Sequence, residues 1–470
     1  MKILLINPPN INTIVSCMPK ILEEDLDFFP PLGLMYLAGY LRKYNSHQIK
    51  ILDCQLEQLN YKQLKQKLIQ ENPDVVGITT MTFTLIDVIK TAQLIKQINH
   101  KIKVVLGGPH VNIYPQETMN IKEIDFLVLG EGEESFKKLL DNINQTKKLH
   151  QIKGIVFKDK DKIINTGNQK LVENLDLIPF PARDLLPYQK YFSVISSKKP
   201  ITTMFTSRGC PFKCLFCDRP HLGKLFRARS AKNVVDEMEE CQKLGIKEIF
   251  IYDDTFTVNR QRVLDICSEI KKRNLTISWD VRTRVDTVDQ EIIKVMKDAN
   301  CQRIHFGVEA GTQKILDVLR KGINLKQIEK AFKITKKNNI QTVGYFMIGS
   351  PNETKKDILE TIKLAKKLNP DFVHISITTP FPATDLYYLG LKKNILPYDY
   401  WQRFAKNPDP NFTPLPWEEN LSKEKLLKLL KYGYQSFYFR PSYILKRLFK
   451  LKSLQELKDK TKASFRLLRI

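Results

Sequence analysis

The chain is 470 residues long, 42% hydrophobic and 27% charged. That balance excludes a fibrous or disordered protein and predicts two or three globular domains, and no apolar run reaches the length of a bilayer span. Its 76 Lys and Arg against 51 Asp and Glu leave a net charge of +25, which points to nucleic acid, an anionic membrane or an acidic substrate as partner classes.

Eight cysteines, three of them clustered, predict metal binding rather than disulfides, and so a reducing, cytoplasmic setting. The opening MKILLINPP turns polar too soon for a signal peptide and reads as a first strand. Residues 1–145 alternate strand and helix. Short β-rich runs occupy residues 2–6, 49–53, 74–80, 102–107 and 125–129, and residues 34–44, 61–70, 85–98 and 133–142 carry helical apolar spacing. This alternation predicts a Rossmann-like (flavodoxin-like), doubly wound parallel sheet, with ligands at the carboxyl ends of its strands. Those ends are Asn7-Pro8-Pro9-Asn10, Thr79-Thr80-Met81, Gly107-Gly108-Pro109-His110 and Gly130-Glu131-Gly132-Glu133. Cys54 reads as a core residue, and Cys17 sits in a loop.

Residues 146–199 read as a connector: a small hairpin around Asp159-Lys160-Asp161, then a strap in which Pro179, Pro181 and Pro187 forbid a regular helix. In TTMFTSRGCPFKCLFCD, residues 202–218, a β-branched run ends at Gly209. Cys210, Cys214 and Cys217 follow at C-x3-C-x2-C spacing. Three thiolates on one tight loop can hold three irons of a cubic cluster and leave the fourth open. The rival is a structural zinc completed by His221.

Residues 200–390 repeat strand and helix six times from Thr203, predicting an incomplete (βα)6 TIM-type barrel. Its strand ends carry Asp253-Asp254-Thr255, Arg282-Thr283-Arg284, Glu309-Ala310-Gly311 and Gly349-Ser350-Pro351. Glu353 reads as a helix N-terminal charge. Cys241, Cys267 and Cys301 fall on apolar faces. Residues 391–470 form a mostly helical tail. The aromatic loops at Trp401 and Trp417 are expected to close the open barrel. From Ser422 onward there are fourteen basic and three acidic residues, compatible with packing on the barrel or with peripheral contact with an anionic membrane.

The cysteine loop at the end of a first barrel strand resembles the hallmark of the radical S-adenosylmethionine (SAM) superfamily, in which a [4Fe-4S] cluster reductively cleaves SAM. The segments NPP, PPLGLMYLAGYL, GITTMT, LGGPH and LGEGEESF resemble the cobalamin-binding domain that precedes the barrel in one large subgroup of that superfamily. The strap Pro-Phe-Pro-Ala-Arg-Asp resembles the same subgroup's connector. The resemblance implies metal ligation by Cys210, Cys214 and Cys217. It implies SAM contacts by Asp253, Asp254, Arg282, Arg284, Glu309, Gly344 and Gly349. It implies cobalamin contacts by Asn7, Pro8, Thr79, Thr80, Gly107, Gly108, Pro109, Gly130, Glu131 and Gly132. One departure is the lack of an Asp-x-His-x-x-Gly motif: neither His47 nor His110 has that context, so the lower face of cobalt is not expected to be histidine-ligated.

The implied activity is methylation of an unactivated carbon of a small-molecule or lipid substrate, with an external flavodoxin- or ferredoxin-like electron donor and no nucleic acid. Cyclisation, ring contraction or oxygen insertion on a lipid or tetrapyrrole is the alternative. A tRNA sulfur-transfer enzyme would want a second cysteine triad upstream, where only Cys17 and Cys54 stand. A non-catalytic iron–sulfur protein is the remaining class. No residue is nominated as an acid or base.

Overall fold

The computed structural model describes residues 1–16, 27–44, 46–196, 198–218 and 225–448; Cys17 and His221 lie outside them. Five strands, β1 (Lys2–Asn7), β2 (Gln48–Asp53), β3 (Val75–Thr79), β4 (Lys103–Gly107) and β5 (Phe126–Val128), pair in parallel in the order β2-β1-β3-β4-β5. Helices α1 (Leu32–Tyr44), α2 (Tyr61–Glu71), α3 (Leu85–Ile98) and α4 (Gly132–Asp141) cover both faces. Side chains on β1 alternate between two cores: Ile3 and Leu5 pack with Met35 and Phe136, while Leu4 and Ile6 pack with Leu64 and Val88. Burial on both faces explains why the strand reads as an unbroken apolar run. The strand order reverses between β1 and β3, which opens a crevice at their carboxyl ends.

The hairpin assigned to the connector belongs instead to this sheet. Its strands β6 (Ile155–Asp159) and β7 (Lys162–Asn165) add antiparallel to β5 and extend the sheet to seven strands. The strap that follows is packed: Ala182 N donates to Met35 O at 3.0 Å, and a Cβ on Gly39 of α1 would lie 2.2 Å from Phe180 O. Arg183 of the strap is buried and donates to Thr203 O (2.9 Å) and Glu237 Oε1 (2.5 Å), so it ties the strap to the second unit.

That unit is a parallel six-stranded sheet in sequential order, formed by β8 (Ile201–Met204), β9 (Glu248–Ile251), β10 (Ser278–Thr283), β11 (Cys301–Glu309), β12 (Gln341–Ile348) and β13 (Phe372–Ile377). Helices α5 (Ala231–Lys243), α6 (Arg260–Lys272), α7 (Gln290–Asp298), α8 (Leu325–Lys337) and α9 (Lys355–Leu368) pack outside it. Capping boxes at Asn324/Gln327 and Thr354/Asp357 start α8 and α9. Because β8 and β13 do not pair, the barrel is incomplete.

The tail supplies α10 (Tyr400–Lys406), α11 (Lys423–Tyr438) and α12 (Pro441–Leu448). The edge of β13 is covered by α11, not by the aromatic loops. Tyr434 Oη bonds both N (3.0 Å) and O (3.0 Å) of Ile375, and Tyr438 Oη bonds N (3.0 Å) and O (2.9 Å) of Val373. Tyrosines four apart on one helix face thus satisfy alternate residues of an edge strand. Trp401 instead packs against Ile14, Leu85 and Tyr114 of the first unit, and Trp417 lies with Leu215 beside the cysteine loop. Beyond Leu448 the basic tail lies outside the described residues. No helix among the described residues is long and apolar enough to cross a membrane.

Candidate active site at the domain seam

The cysteine loop leaves β8 and is held in place by Asp253, just past β9. Its carboxylate accepts from Thr206 N (2.6 Å), Ser207 N (3.0 Å), Ser207 Oγ (2.6 Å) and Thr206 Oγ1 (2.5 Å). Both oxygens are committed, which corrects the expectation that Asp253 receives the SAM ammonium. Gly209 turns the chain at φ +81°. Cys210 and Cys214 are buried and Cys217 is exposed, none of them in a disulfide. Cys210 Sγ lies 3.7 Å from Thr255 Oγ1, past the end of β9. Cys214 Sγ lies 3.9 Å from Arg284 Nη1, past the end of β10. The far side of the loop is stitched down by Leu215 N to Leu319 O and Leu386 N to Leu215 O, both 2.9 Å.

The donor set suits a cluster. Three cysteines share one loop beside a guanidinium, Arg284. One zinc would draw its sulfurs to tetrahedral corners about 2.3 Å from the metal; a cubic cluster spreads them over three irons.

Other expected SAM residues separate into two groups. Arg284 stacks on Phe212 (3.8 Å), pairs with Asp286 (2.8 Å) and donates to Lys321 O (2.7 Å). Glu309, at φ +71°, pairs with Lys321 at 2.7 Å. Arg282 lies over the Tyr252 ring at 4.0 Å. These three stand at or just past the carboxyl ends of β10 and β11, and Asp254, past β9, lines the cavity described next. The two glycines expected to contact SAM, Gly344 and Gly349, stand where side chains of neighbouring residues pack closely. A Cβ on Gly344 would meet Phe346 and, in the helical layer, Phe332. Gly349, at φ +79°, lets Leu426 of α11 approach to 2.9 Å of such a Cβ.

A cavity of about 210 Å³ opens between the two units. Its floor is Leu5, Gly77 and Phe136, its rim Thr79, Gly107, Gly108, Gly130, Glu131 and Gly132, and its opposite wall Phe205, Ser207, Arg208, Gly209 and Tyr252. Side chains at Gly33 or Gly130 would meet nothing within 4 Å and would project into open space. An apolar cradle of bare backbone facing the cysteine loop fits part of a bulky flat cofactor such as cobalamin. Four residues expected to line it do not. Asn7 donates to Asp53 (2.8 Å) and Pro8 O accepts from Gln55 (3.1 Å). Thr80 joins the ends of β3 and β4 by bonds to Gly107 O (2.7 Å) and from His110 N (3.2 Å), and Pro109 starts a short helix.

Glu131 has a second role. It pairs with Arg227 at 2.9 Å and with Arg208 at 3.0 Å, while Arg208 also reaches Glu133 at 2.5 Å. Burial opposes ionisation of Glu131, but Arg227 and Arg208 hold its carboxyl below the usual range. Arg208, Arg227, Lys321 and Tyr252 escaped sequence reasoning. Only Arg208, next to the Gly-Cys step, had a local signal.

The fold and this site define a radical enzyme with a cobalamin-binding domain. Residues 204–365 match the Radical SAM superfamily, and residues 21–140 match the B12 binding domain. The chain is 37% identical over 452 residues to an uncharacterized methyltransferase of Pyrococcus horikoshii, covering 96% of this chain and 95% of that protein. It is 30% identical over 426 residues to the anaerobic magnesium-protoporphyrin IX monomethyl ester cyclase of Rubrivivax gelatinosus, covering 88% and 75%. The solved structure of the cobalamin-dependent SAM radical enzyme OxsB, with aqua-cobalamin and SAM bound, matches with a TM-score of 0.75 at 18% identity, over 99% of this chain and 72% of that one. The chain belongs to the cobalamin-dependent radical SAM methyltransferase family, and its cofactors are a [4Fe-4S] cluster, SAM and cobalamin.

Proposed function

We propose that this enzyme transfers a methyl group to an unactivated carbon of a small molecule bound in the barrel mouth. When bound, the cluster and SAM supply hydrogen abstraction and cobalamin supplies the methyl group. The observation that carries the reading is the seam cavity, whose one wall is the cobalamin-type glycine rim and whose other wall is the residue run leading into Cys210. Cys210, Cys214 and Cys217 would hold the cluster. Glu309, Arg284 and Asp254 would face SAM. Gly33 and Gly130, where a Cβ would meet nothing, leave room for cobalamin on a rim that Gly107, Gly108 and Gly132 share. The electron comes from an external one-electron donor of flavodoxin or ferredoxin class, and no nucleic acid is involved.

Anaerobic reconstitution with methyl-labelled SAM tests this. The expected result is a corrinoid spectrum and label in the product, with Cys214→Ala losing iron and SAM cleavage. Deoxyadenosine released without label in any product would remove the methyl-transfer step. That outcome would favour the second reading, a cyclisation, to which the 30% identity with a cyclase lends support. For α12, where Ile444 and Leu445 are 43% and 55% exposed, flotation with anionic vesicles separates membrane contact from packing alone.

A further inference from the structure

Deeper in the barrel than the cysteine loop, three adjacent strands align Asp280 of β10, His305 of β11 and Tyr345 of β12. His305 Nε2 lies 3.1 Å from Asp280 Oδ2, and His305 Nδ1 lies 3.0 Å from Tyr345 Oη. Asp280 also accepts from Arg303 Nη1 at 2.9 Å, and Arg303 is itself held by Glu248 at 3.1 Å and by Ile195 O at 2.7 Å. A carboxylate only accepts, so His305 carries its proton on Nε2 and offers a bare Nδ1 to the phenol O–H. Asp280 and His305 are buried, and Tyr345 is partly exposed toward the lumen. The row is therefore anchored at its buried end and finishes in the partly exposed Tyr345 phenol, whose oxygen also takes a hydrogen bond from Arg282.

Beside that oxygen lies a cation. Arg282, one pleat along β10, hydrogen-bonds to Tyr252 and Tyr345, lies near Asp280 and forms no ion pair among the described residues. Its guanidinium rests on Tyr252, which also lines the seam cavity. Burying a guanidinium without a carboxylate partner is costly, and the cost is offset where an anion arrives. A purely structural histidine would be satisfied by Asp280 and Tyr345 alone. It would not by itself call for an arginine that meets only phenols and no ion-pair partner among the described residues.

We propose that Asp280, His305 and Tyr345 form a proton relay, with Arg282 as its oxyanion partner, acting on a substrate that bears a phenolic or enolic hydroxyl next to the carbon being modified. This rests on the function proposed above and specifies its substrate class. In the step, the substrate O–H bond breaks and its proton passes to Tyr345 Oη, while the Tyr345 proton passes to His305 Nδ1. The substrate oxyanion then faces Arg282 and the imidazolium faces Asp280; no electrons change hands. Tyr345 is the catalytic residue, and His305 and Asp280 position and support it. The charged and titratable groups facing the pair are Asp280 and Arg282 on β10, Arg303 on β11, Asp27 from the first unit, and His374, whose ring lies 5.6 Å from that of Tyr345. Burial holds His305 below its ordinary range although Asp280 opposes this, so the neutral, proton-accepting form prevails near neutral pH.

The test uses reconstituted holoenzyme and 4-nitrophenol, which colours only when ionised, read by difference absorption at about pH 6. The wild type is expected to bind the probe as phenolate, ionising it about tenfold more readily than buffer does. His305→Gln and Tyr345→Phe should lose that gain, and Arg282→Met should lose binding of the coloured form. Thermal melting confirms that each variant is folded, and Tyr345→Phe keeps the ring where His305→Gln fails. A wild type that cleaves SAM but leaves the probe un-ionised, or variants that ionise it equally, overturns the relay and spares the proposed function. Displacement of the probe by SAM, with SAM binding weakened by Arg282→Met, assigns Arg282 to the SAM carboxylate and likewise overturns the proposal. A wild type that cleaves no SAM removes the function on which the relay rests.

Discussion

Arg208 Nη1 lies 3.0 Å from Glu131 Oε1, and this ion pair joins the residue before the cysteine loop's Gly209 to the glycine-rich rim of the first unit. The side chains are 11% and 2% exposed, so the pair is screened little by solvent. The cobalamin-side rim and the cluster-side loop are therefore held by one buried knot of Arg208, Arg227, Glu131 and Glu133.

Breaking that knot leaves an uncompensated buried charge. Glu131→Gln is expected to cost about 3–5 kcal/mol and to loosen both cofactor sites together. Differential scanning calorimetry with parallel cobalamin and iron determinations checks this. A melting temperature matching the wild type, with both cofactors retained, would contradict it.

Arg284 lies on the cysteine-loop side of the seam. Its Nη1 is 3.9 Å from Cys214 Sγ, and its pairing with Asp286 at 2.8 Å leaves part of its field to act on the loop. A cation favours the more negative, reduced cluster. Arg284→Met should lower the cluster potential by on the order of tens of millivolts, where about 59 mV is a factor of ten for one electron. An EPR-monitored redox titration reads the change; a raised potential would reverse the argument.

Glu353 is buried. Its Oε2 accepts from Ser350 N at 2.8 Å, and among the described residues Oε1 makes no hydrogen bond of good geometry. Burial pushes its carboxyl up to about 7, against the bonds from Ser350 and Gly349. The folded state thus holds the proton more tightly than the unfolded chain. Its contribution to stability is full below the ordinary glutamate range and is lost as pH rises through about 7. Glu353→Gln should flatten this part of the stability profile and raise stability at about pH 8 by up to about 3 kcal/mol. Urea melts across that range decide; an unchanged slope would be falsifying.

Tyr434→Phe keeps the ring on β13 and removes the hydroxyl that serves Ile375 N and O at 3.0 Å each. An edge strand stripped of that partner is expected to lose about 1–3 kcal/mol. Hydrogen exchange at Ile375 should quicken while Val373, served by Tyr438, changes less. Equal protection in both proteins would show that the ladder does not hold the edge.

The alternation of strand and helix, the six barrel strands and the cysteine spacing were all readable in advance, because burial periodicity and a three-thiol loop are properties of residues close in the chain. The partners of polar groups were not. Asp253 looks like any acid at a strand end until Thr206 and Ser207, more than forty residues away, take both its oxygens. Nothing local to Gly349 shows that Leu426, far along the chain, packs against it. The hairpin after residue 154 looks like a linker until β5 offers it an edge. Hydrogen bonds, ion pairs and close backbone approaches depend on distance in space, and a linear order of residues carries that distance only after the chain has packed.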